Sequence, residues 1–429
     1  MTGSDTLRRA MGRFIRPPIA LVATIALTSC SSLLEVEVPA LVEADTVNDP
    51  TQAALLVDGV VSSFECAFGS YVIAGGLMSD ELADSQTNAL IYGYDRRDIG
   101  PGDTGIHIYG TADCLNANST GLGVYIPVAR ARWYADDVTR KLEGWTDAQV
   151  PSRGLLTATT AAYAGYGLVL LGESMCTAAI DLGPELSKAQ IFTEADARFT
   201  KAMTLAQAAG SADLLNMARV GKARALLNLG RKPDAATVAR TVVPVGFTFG
   251  ASAANTPGRQ NRPFIWNNLN LLATVQEPYR DMTFGGVADP RVPVQNANRN
   301  GADAATALWV QRKYLAETIS TPLATWEEAQ LIIAEAVLGT EAVGIINALH
   351  TRVGLPAFSS TDNAAIQNQV IEERRRELFL ESHRFFDISR YNLPLVPTPG
   401  TAFGKGGNYG STRCLLLPDR ERQNNPNIS

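Results

Sequence analysis

The sequence predicts a mainly α-helical protein in which long irregular insertions and a few short strands interrupt the helices. Small and apolar residues recur every three or four positions between residues 195 and 243, which is the period of an α-helix. Helical periods also mark residues 51–68, 124–142 and 155–176, and return in three stretches between 326 and 379. By contrast, residues 84–123 and 244–325 are rich in residues that favour turns and loops.

The most regular pattern consists of two consecutive helices with small residues on their facing sides. The first has its inward positions at Ala195, Phe199, Ala202, Ala206 and Ala209. Gly210 and Ser211 then break the pattern, a second helix follows over 214–229, and a third begins at 235. Two helices in about 34 residues resemble a tetratricopeptide repeat, so we expect a TPR-like superhelical scaffold.

The first residues have the layout of an export signal. Four arginines and one aspartate precede a short apolar run over residues 19–28, and Leu27, Thr28 and Ser29 lead into Cys30. This tetrad resembles the bacterial lipobox, whose cysteine is acylated and becomes the first residue of the mature chain. We therefore expect residues 1–29 to be a signal peptide, with a lipid anchor on Cys30 and a tether over 30–50. The alternative is an ordinary signal peptide with an incidental cysteine.

Composition restricts the classes of partner and chemistry. The chain has 429 residues and a formal charge of −6, and loss of the arginine-rich signal would make it more acidic, which argues against nucleic acid as a partner. Beyond the signal, we expect no stretch long and apolar enough to span a membrane. The three histidines are scattered, and no phosphate-binding loop, dinucleotide fingerprint or nucleophile elbow is present, so we expect no metal and no cofactor.

Four cysteines follow Cys30, namely Cys66, Cys114, Cys176 and Cys414. An even number in an exported protein permits disulfides, although none of the spacings matches a C-x-x-C motif. We predict the pairs Cys66–Cys114 and Cys176–Cys414, because the first two share one region of the chain. Free buried thiols are the alternative.

The C-terminal third contains the most specific motif. Residues 370–390 read VIEERRRELFLESHRFFDISR, which resembles the signature of the RagB/SusD family of nutrient-uptake lipoproteins. Ser382 stands where that family usually has Gly, and Ile388 where it often has Leu. Shorter resemblances run in the family's order around residues 76–81, 289–291, 328–336, 347–356 and 414–427, so the resemblance spans nearly the whole chain.

The resemblance implies a SusD-like α-α superhelix, with residues 51–429 as a single domain. Its helical scaffold would lie at about 124–243 and 326–390, and the insertions at about 84–123 and 244–325 would face the ligand. It further implies an outer membrane protein, facing the cell surface, that captures oligosaccharides or peptides for a SusC-like TonB-dependent transporter. Proteins of this family use no cofactor and catalyse nothing.

The charged residues of the signature also predict structure without the family. We expect Glu373, Arg374, Glu377, Glu381, Arg384, Asp387 and Arg390 to form a partly buried ion-pair network that locks helices together. Within one helix, the pairs Glu372–Arg376, Arg374–Glu377 and Glu381–Arg384 would offset the repulsion between glutamates spaced four apart.

The family has no fixed ligand-binding motif, so we choose candidates by chemistry. One group is Tyr92, Tyr94 and Tyr109 in the first insertion, with Asp80 and Asn88 nearby. The other is Trp266 with Asn267 and Asn268. An aromatic ring can stack on the C–H face of a sugar while amides bind its hydroxyls. Trp133 and Trp326 lie in helical patterns, and we expect them in the core.

Two other functions are compatible with the sequence. A lipid-anchored glycoside hydrolase would need two opposed carboxylates, and acidic residues are plentiful. A TPR-like scaffold would bind proteins only.

Overall fold

The computed structural model describes residues 48–102, 122–256 and 258–428. Most of the described chain is helical, which confirms the predicted fold class. The helices are α1 (Ala53–Met78), α2 (Tyr92–Arg96), α3 (Tyr125–Gly144), α4 (Arg153–Ser174), α5 (Lys188–Ala208), α6 (Ala212–Asn228), α7 (Lys232–Ala239), α8 (Trp326–Val337), α9 (Gly339–Val353), α10 (Asn363–Glu377), α11 (Arg384–Arg390) and α12 (Asp419–Asn424). Short 3-10 turns cover Pro50–Gln52 and Glu277–Tyr279, and one π-helix covers Phe264–Leu269.

The strands of the described chain are short and form separate two-stranded antiparallel sheets. The strands are β1 (Leu82–Asp84), β2 (Thr177–Ala179), β3 (Glu185–Ser187), β4 (Thr248–Ala251), β5 (Ala273–Val275), β6 (Thr283–Phe284), β7 (Val287–Ala288), β8 (Val294–Asn300), β9 (Ala307–Gln311) and β10 (Thr321–Thr325). Three pairs are hairpins, β2–β3, β6–β7 and β8–β9, whereas β1 pairs with β5 and β4 with β10 across long stretches of chain. Most strands therefore lie in the predicted 244–325 insertion.

The scaffold is a series of helices in which each packs on the next, from α3 to α7. Its close approach depends on small residues, as the sequence predicts. The ring of Phe199 on α5 fits against Gly165 on α4 and Gly221 on α6. A Cβ at Gly221 would lie 2.3 Å from a Phe199 ring carbon, far inside van der Waals contact. Glycine at this position is therefore required for the α5–α6 contact.

A second helical group continues this scaffold after the 244–325 insertion. Helix α8 packs against α6, α7 and α9, and α10 packs on both α8 and α9. The core of this group is fully buried and consists of Ala334, Ala342, Ile346, Ile366 and Val370. Two helical segments separated by more than 80 residues in sequence thus share one scaffold.

By length and composition, two helices of the described chain could cross a membrane. They are Pro50–Met78, which is α1 with the 3-10 turn before it, and Arg153–Ser174. In each, 78% of the most apolar window is buried inside the protein. Both are therefore core helices of this fold. The expectation that no stretch beyond the signal is long and apolar enough to span a membrane was wrong for these two helices by length and composition.

A disulfide ties the scaffold to the C-terminal tail. Cys176, directly after α4, is bonded to Cys414 in the C-terminal tail, with the two Cα atoms 5.0 Å apart, as the predicted pairing requires. Cys66 on α1 is also disulfide-bonded. Its predicted partner, Cys114, lies outside the described residues.

The structure corrects the placement of one tryptophan. Trp133 was expected in the core but is 46% exposed, because α3 buries Val128, Ala131 and Ala135 on its inward face. Trp326 is half-buried, with the guanidinium of Arg352 5.1 Å from its ring centre.

Candidate ligand-binding site

The signature segment forms a bend between two helices. Helix α10 ends at Glu377, and α11 begins at Arg384, so the intervening six residues leave the helical path. Leu380 and Ser382 adopt positive φ angles of 54° and 75° in this bend. Position 382, where the family signature has glycine, is thus in the left-handed region that glycine adopts most easily.

Arg384 joins this bend to the end of the first long helix. Its Nε and Nη2 atoms each donate a hydrogen bond of 2.7 Å to the Asp80 carboxylate, and both side chains are at least 92% buried. Beside this pair, Glu81 accepts a hydrogen bond of 2.8 Å from the backbone N–H of Leu380. Residues about 300 positions apart are therefore held together by paired, desolvated charges.

A second cluster of ion pairs connects α8, α10 and α11. The Asp387 carboxylate accepts hydrogen bonds from Arg374 at 2.9 Å and Arg390 at 2.8 Å. Arg390 also donates to both oxygens of Glu335 on α8, at 2.6 and 2.8 Å. All four side chains are mostly buried.

A third cluster is centred on Arg291 in the insertion. Its guanidinium contacts Asp289 at 2.8 Å and Glu373 at 2.6 Å, and Glu373 in turn is 2.9 Å from His350 Nε2. Arg376 also reaches Asp289 at 3.1 Å. This cluster attaches the irregular insertion to α9 and α10.

These contacts establish the ion network that the sequence predicts, but most partners differ. Of the three predicted pairs, only Glu372–Arg376 forms, at 3.6 Å. Arg374 pairs with Asp387 instead of Glu377, and Arg384 pairs with Asp80 instead of Glu381. The reason is that the helix ends at Glu377, so Glu381 and Arg384 do not share a helix face.

Burial and pairing shift the pKa values in opposite directions. Burial raises the pKa of Glu81 to about 8 and that of Glu381 to about 7. For Asp80 burial acts in the same direction, but the hydrogen bonds and charge of Arg384 outweigh it and lower the pKa. Asp387 likewise has its pKa lowered to about 2, because Arg374 and Arg390 outweigh its burial.

The network fixes the start of strand β1, and β1 leads to a partly exposed aromatic residue, Tyr92. Asp84 at the end of β1 accepts a backbone hydrogen bond from Gln86 and donates its own N–H to Asp95 at 2.7 Å. The ammonium of Lys405 binds the Asp84 carboxylate. It also donates a hydrogen bond of 2.7 Å to the carbonyl of Gln86 and lies 3.0 Å from the Asp303 carboxylate. Three distant segments of the chain therefore meet at Lys405.

A tight turn presents Lys405 at this point. Phe403 and Gly407 are joined by a backbone hydrogen bond of 2.9 Å, and Gly406 and Gly407 both have positive φ angles. This glycine pair permits the reversal of the chain that a larger residue would strain.

Three aromatic residues, Tyr92, Phe403 and Tyr409, lie near Lys405, and Asn88 precedes Tyr92 by four positions. We name these five residues the Tyr92 face. The Tyr92 ring is half-buried, and it lies 5.8 Å from Phe403 and 5.1 Å from the Lys405 ammonium. Tyr409 packs edge-on against Phe403 at 5.3 Å. Asn88 is partly exposed, and its side chain accepts a hydrogen bond from the N–H of Leu90.

Tyr92 and Asn88 are thus the candidates in the first predicted group that are partly exposed in the described part of the chain. Phe403, Lys405 and Tyr409 are not among the residues predicted from the sequence. The glycine-rich run around them is a signal for a tight turn, but nothing local indicates that this turn meets residues 84–92.

Tyr94 and Asp80 are corrected as ligand contacts because neither is accessible. Tyr94 is fully buried, and its hydroxyl donates a hydrogen bond of 2.9 Å to the carbonyl of Leu122. Asp80 is 3% exposed and is bound by Arg384.

The second predicted group is corrected for the same reason. Trp266 and Asn267 are 1% and 0% exposed. The amide of Asn267 bonds to the carbonyls of Ala273 and Trp309 and to the N–H of Gln311, so it holds β9 in place. Asn268 pairs with the Gln311 side chain and backbone in the same way.

Cys30 and Tyr109 lie outside the described residues. Within the described ranges, no group of three or more His, Cys, Asp or Glu side chains is arranged to hold a metal ion.

Comparison with known proteins agrees with this architecture. Residues 328–422 match the model of the SusD family. A SusD superfamily protein from Bacteroides vulgatus superposes with a TM-score of 0.66 at 15% identity, over 89% of this chain and 98% of its own. A SusD-like carbohydrate binding protein from the same organism gives 0.65 at 15% identity, over 89% and 97%.

A third solved structure, a laminarin binding SusD-like protein, gives a TM-score of 0.61 at 16% identity, over 88% of this chain and 98% of its own. A search of curated protein sequences found no significant match. The described chain therefore has the fold of the SusD-like structures, and its C-terminal segment matches the SusD family model, which confirms the resemblance inferred from the sequence.

The buried Asp80–Arg384 pair predicts a large loss of stability when one partner is removed. Arg384→Ala leaves the Asp80 carboxylate buried without its counterion, so the free energy of unfolding should fall by about 3–5 kcal/mol. Urea unfolding followed by tryptophan fluorescence measures this. Arg299→Ala, at an exposed arginine on β8, is the control and should change stability by no more than about 0.5 kcal/mol.

The double variant with Asp80→Asn should lose clearly less than the sum of the two single losses, because the two side chains act as one pair. Additive losses, or an Arg384→Ala protein as stable as the unmodified one, would contradict this assignment.

Proposed function

We propose that this protein is a nutrient-binding lipoprotein of the outer membrane that captures oligosaccharides and delivers them to a SusC-like TonB-dependent transporter. The SusD-like fold supports the proposal at the level of protein class. Two structural neighbours are described as carbohydrate binding and laminarin binding, and these descriptions guide the choice of ligand.

The observation that carries the proposal is the Tyr92 face. The half-buried ring of Tyr92 is held by Phe403 on one side, and its hydroxyl donates a hydrogen bond of 3.2 Å to the carbonyl of Gln86. A ring fixed in this way can stack on a sugar with little loss of conformational entropy. Asn88, four positions before Tyr92 and partly exposed, offers an amide for sugar hydroxyls, whereas the Lys405 ammonium is already bound by Asp84, Gln86 and Asp303 and serves to hold the face together.

Binding without catalysis fits the chemistry of the buried acids. The carboxylates of Asp80, Asp387 and Glu335 are each occupied by arginine side chains, and Glu81 is bound to the backbone of the signature bend. These acids stabilise the structure, and none is placed to attack or protonate a sugar at the Tyr92 face.

Replacing Tyr92 tests the proposal directly. Tyr92→Ala should weaken retention on a laminarin affinity gel, or binding to the best ligand of a glycan and peptide array, by about twofold to twelvefold, since stacking by an aromatic ring contributes about 0.5–1.5 kcal/mol. Trp133→Ala removes an exposed aromatic ring from α3 and should leave binding unchanged.

Equal binding by Tyr92→Ala and the unmodified protein would exclude this face as the site. Release of reducing sugar would instead support the hydrolase. Binding to peptides alone, or to no ligand at all, would favour a peptide carrier or a protein scaffold.

The location at the membrane rests on Cys30 and has its own test. Cys30→Ala should move the protein from the membrane fraction to the soluble fraction, because the acylated residue is lost, while glycan binding persists. Serine at position 31 and the family likeness favour the outer membrane. The unmodified protein should co-purify in mild detergent with a large β-barrel transporter, and its recovery alone would count against the transporter partnership.

A further inference from the structure

His350 is a buried histidine on α9 that takes no part in the Tyr92 face. Its side chain is excluded from water, and the Phe284 ring of strand β6 packs edge-on against it with the ring centres 4.5 Å apart. Pro356, in the loop after α9, packs on Gly285 of the β6–β7 hairpin, since a Cβ at Gly285 would lie 3.0 Å from the proline ring. His350 therefore stands where α9, the loop that follows it and this hairpin meet.

Both ring nitrogens of His350 face hydrogen-bond acceptors. Nδ1 lies 2.6 Å from the carbonyl oxygen of Pro356, and Nε2 lies 2.9 Å from a carboxylate oxygen of Glu373 on α10. A neutral imidazole carries one N–H and can donate to only one of these oxygens, whereas an imidazolium donates to both. The two contacts together therefore need two protons.

Glu373 is not placed to carry the second proton. The oxygen that faces His350 also accepts a hydrogen bond of 2.6 Å from the Gln369 amide, and the other oxygen lies 2.6 Å from Arg291. Burial raises the pKa of Glu373, but the hydrogen bonds and charges of His350 and Arg291 outweigh burial and lower this pKa. The second proton therefore belongs to His350, whose ring is an imidazolium.

The charged groups that act on His350 come from α10 and from the insertion. Glu373 is in contact with it, and Arg291 acts on it from the insertion with a charge offset by Asp289 at 2.8 Å and Glu377 at 3.3 Å. Residues 283–288 of the hairpin and the positions one turn away on α9 are uncharged. Burial and Arg291 lower the pKa of His350, but Glu373 and the carbonyl in the loop after α9 outweigh them and raise it.

We propose that the charged His350 is a pH-sensitive latch, which holds the β6–β7 hairpin and the loop after α9 on the scaffold and releases them when its proton is lost in alkali. Loss of the proton leaves a lone pair on one ring nitrogen. Because the Glu373 carboxylate holds the remaining N–H more strongly than a neutral carbonyl does, this lone pair then faces the carbonyl oxygen of Pro356. Two acceptor atoms 2.6 Å apart repel, so Pro356 and the hairpin packed on it move away.

The direction of the response follows from linkage. The pKa of His350 is raised above 6.5 in the folded protein, so the fold holds a proton there that the unfolded chain releases earlier. The latch is therefore fully closed below pH 6.5 and opens as the pH rises through the raised pKa of the folded state.

The hairpin can move without unfolding the helices. Its strands are two residues long and, in the described chain, pair only with each other. Val287 is 42% exposed, so the outer strand buries little against the scaffold. Arg376 holds the base by donating a hydrogen bond of 3.1 Å to the carbonyl of Thr283. We therefore expect the turn at 285–286 to move most.

NMR of the full chain in detergent, labelled with 15N-histidine, tests the charge directly. At neutral pH His350 should show two protonated ring nitrogens, and it should lose one proton only above pH 6.5. His383 is an internal control. Its Nε2 lies 3.2 Å from Nη1 of Arg224, which can only donate, so His383 should stay neutral throughout. His350→Gln and His107→Gln assign the signals.

Hydrogen–deuterium exchange of the same protein tests the release. Protection over residues 282–289 and 355–358, corrected for the intrinsic pH dependence of exchange, should fall by about tenfold or more above the His350 midpoint, since one hydrogen bond from a charged donor is lost. Protection in α5 and α6 should not change across this midpoint. His350→Gln, which cannot be charged, should show low protection of the hairpin at every pH and no such transition.

A neutral His350 at neutral pH would overturn the proposal, and this result needs only the unmodified protein, so the test stands even if His350→Gln fails to fold. A hairpin transition whose midpoint differs from the His350 titration, or one that persists in His350→Gln, would assign the release to another group and overturn the latch. A His350 that stays charged until the whole protein unfolds would overturn it as well.

Discussion

The bidentate ion pair between Asp80 and Arg384 is the contact on which the arrangement of this protein most depends. It joins the end of α1 to the bend between α10 and α11, at 2.7 Å for both hydrogen bonds and with both side chains nearly excluded from water. Tyr279, stacked on Phe379 at 5.0 Å, packs around the pair and connects the insertion to it. Because the chain between these points is long, no local interaction could replace the pair.

The pair also determines where the Tyr92 face can form. Strand β1 begins two residues after Asp80 and pairs with β5 in the insertion, so its direction is set by Asp80 and Glu81 together. At the end of β1, Asp84 binds Lys405, which lies beside Tyr92. A buried structural charge is thus connected to the candidate ligand surface through one short strand.

The network responds to pH in two opposed ways. The pKa of Glu81 is raised to about 8 in the folded protein, so the fold binds a proton there that the unfolded chain releases near 4.5, and stability from this group is lost as pH rises through about 8. The pKa of Asp387 is lowered to about 2, so its contribution is present above 3.8 and is lost as pH falls towards 2. The Asp387 contribution is therefore lost in strong acid, and the Glu81 contribution is lost by about pH 8.

The sequence predicted the helical scaffold well because its signals are local. The spacing of small residues places α5 and α6 within a few residues of their observed bounds, and Gly221 explains why that spacing matters. Charge density likewise predicted an ion network. The partners were beyond prediction, since Arg384 finds Asp80 across 304 positions and no residue near either one indicates the other.

The candidate site was predicted only in part, for a similar reason. Tyr92 and Tyr94 are two residues apart in the short helix α2, so they point to different sides, and only Tyr92 reaches the surface. Sequence composition treats the two tyrosines alike. Lys405 and Phe403 lie in a turn more than 300 residues from Tyr92 in sequence. No sequence pattern links the two segments, so their contact could not be predicted.

Hydrogen–deuterium exchange of an Arg384→Lys variant tests most directly whether this buried pair organises the ligand surface. Lysine keeps the charge but cannot reproduce the two parallel hydrogen bonds to Asp80. We expect faster exchange over residues 79–96 and 401–410, with unchanged protection in α5 and α6. Unchanged exchange in the first two regions, or an equal loss of protection throughout the protein, would contradict it.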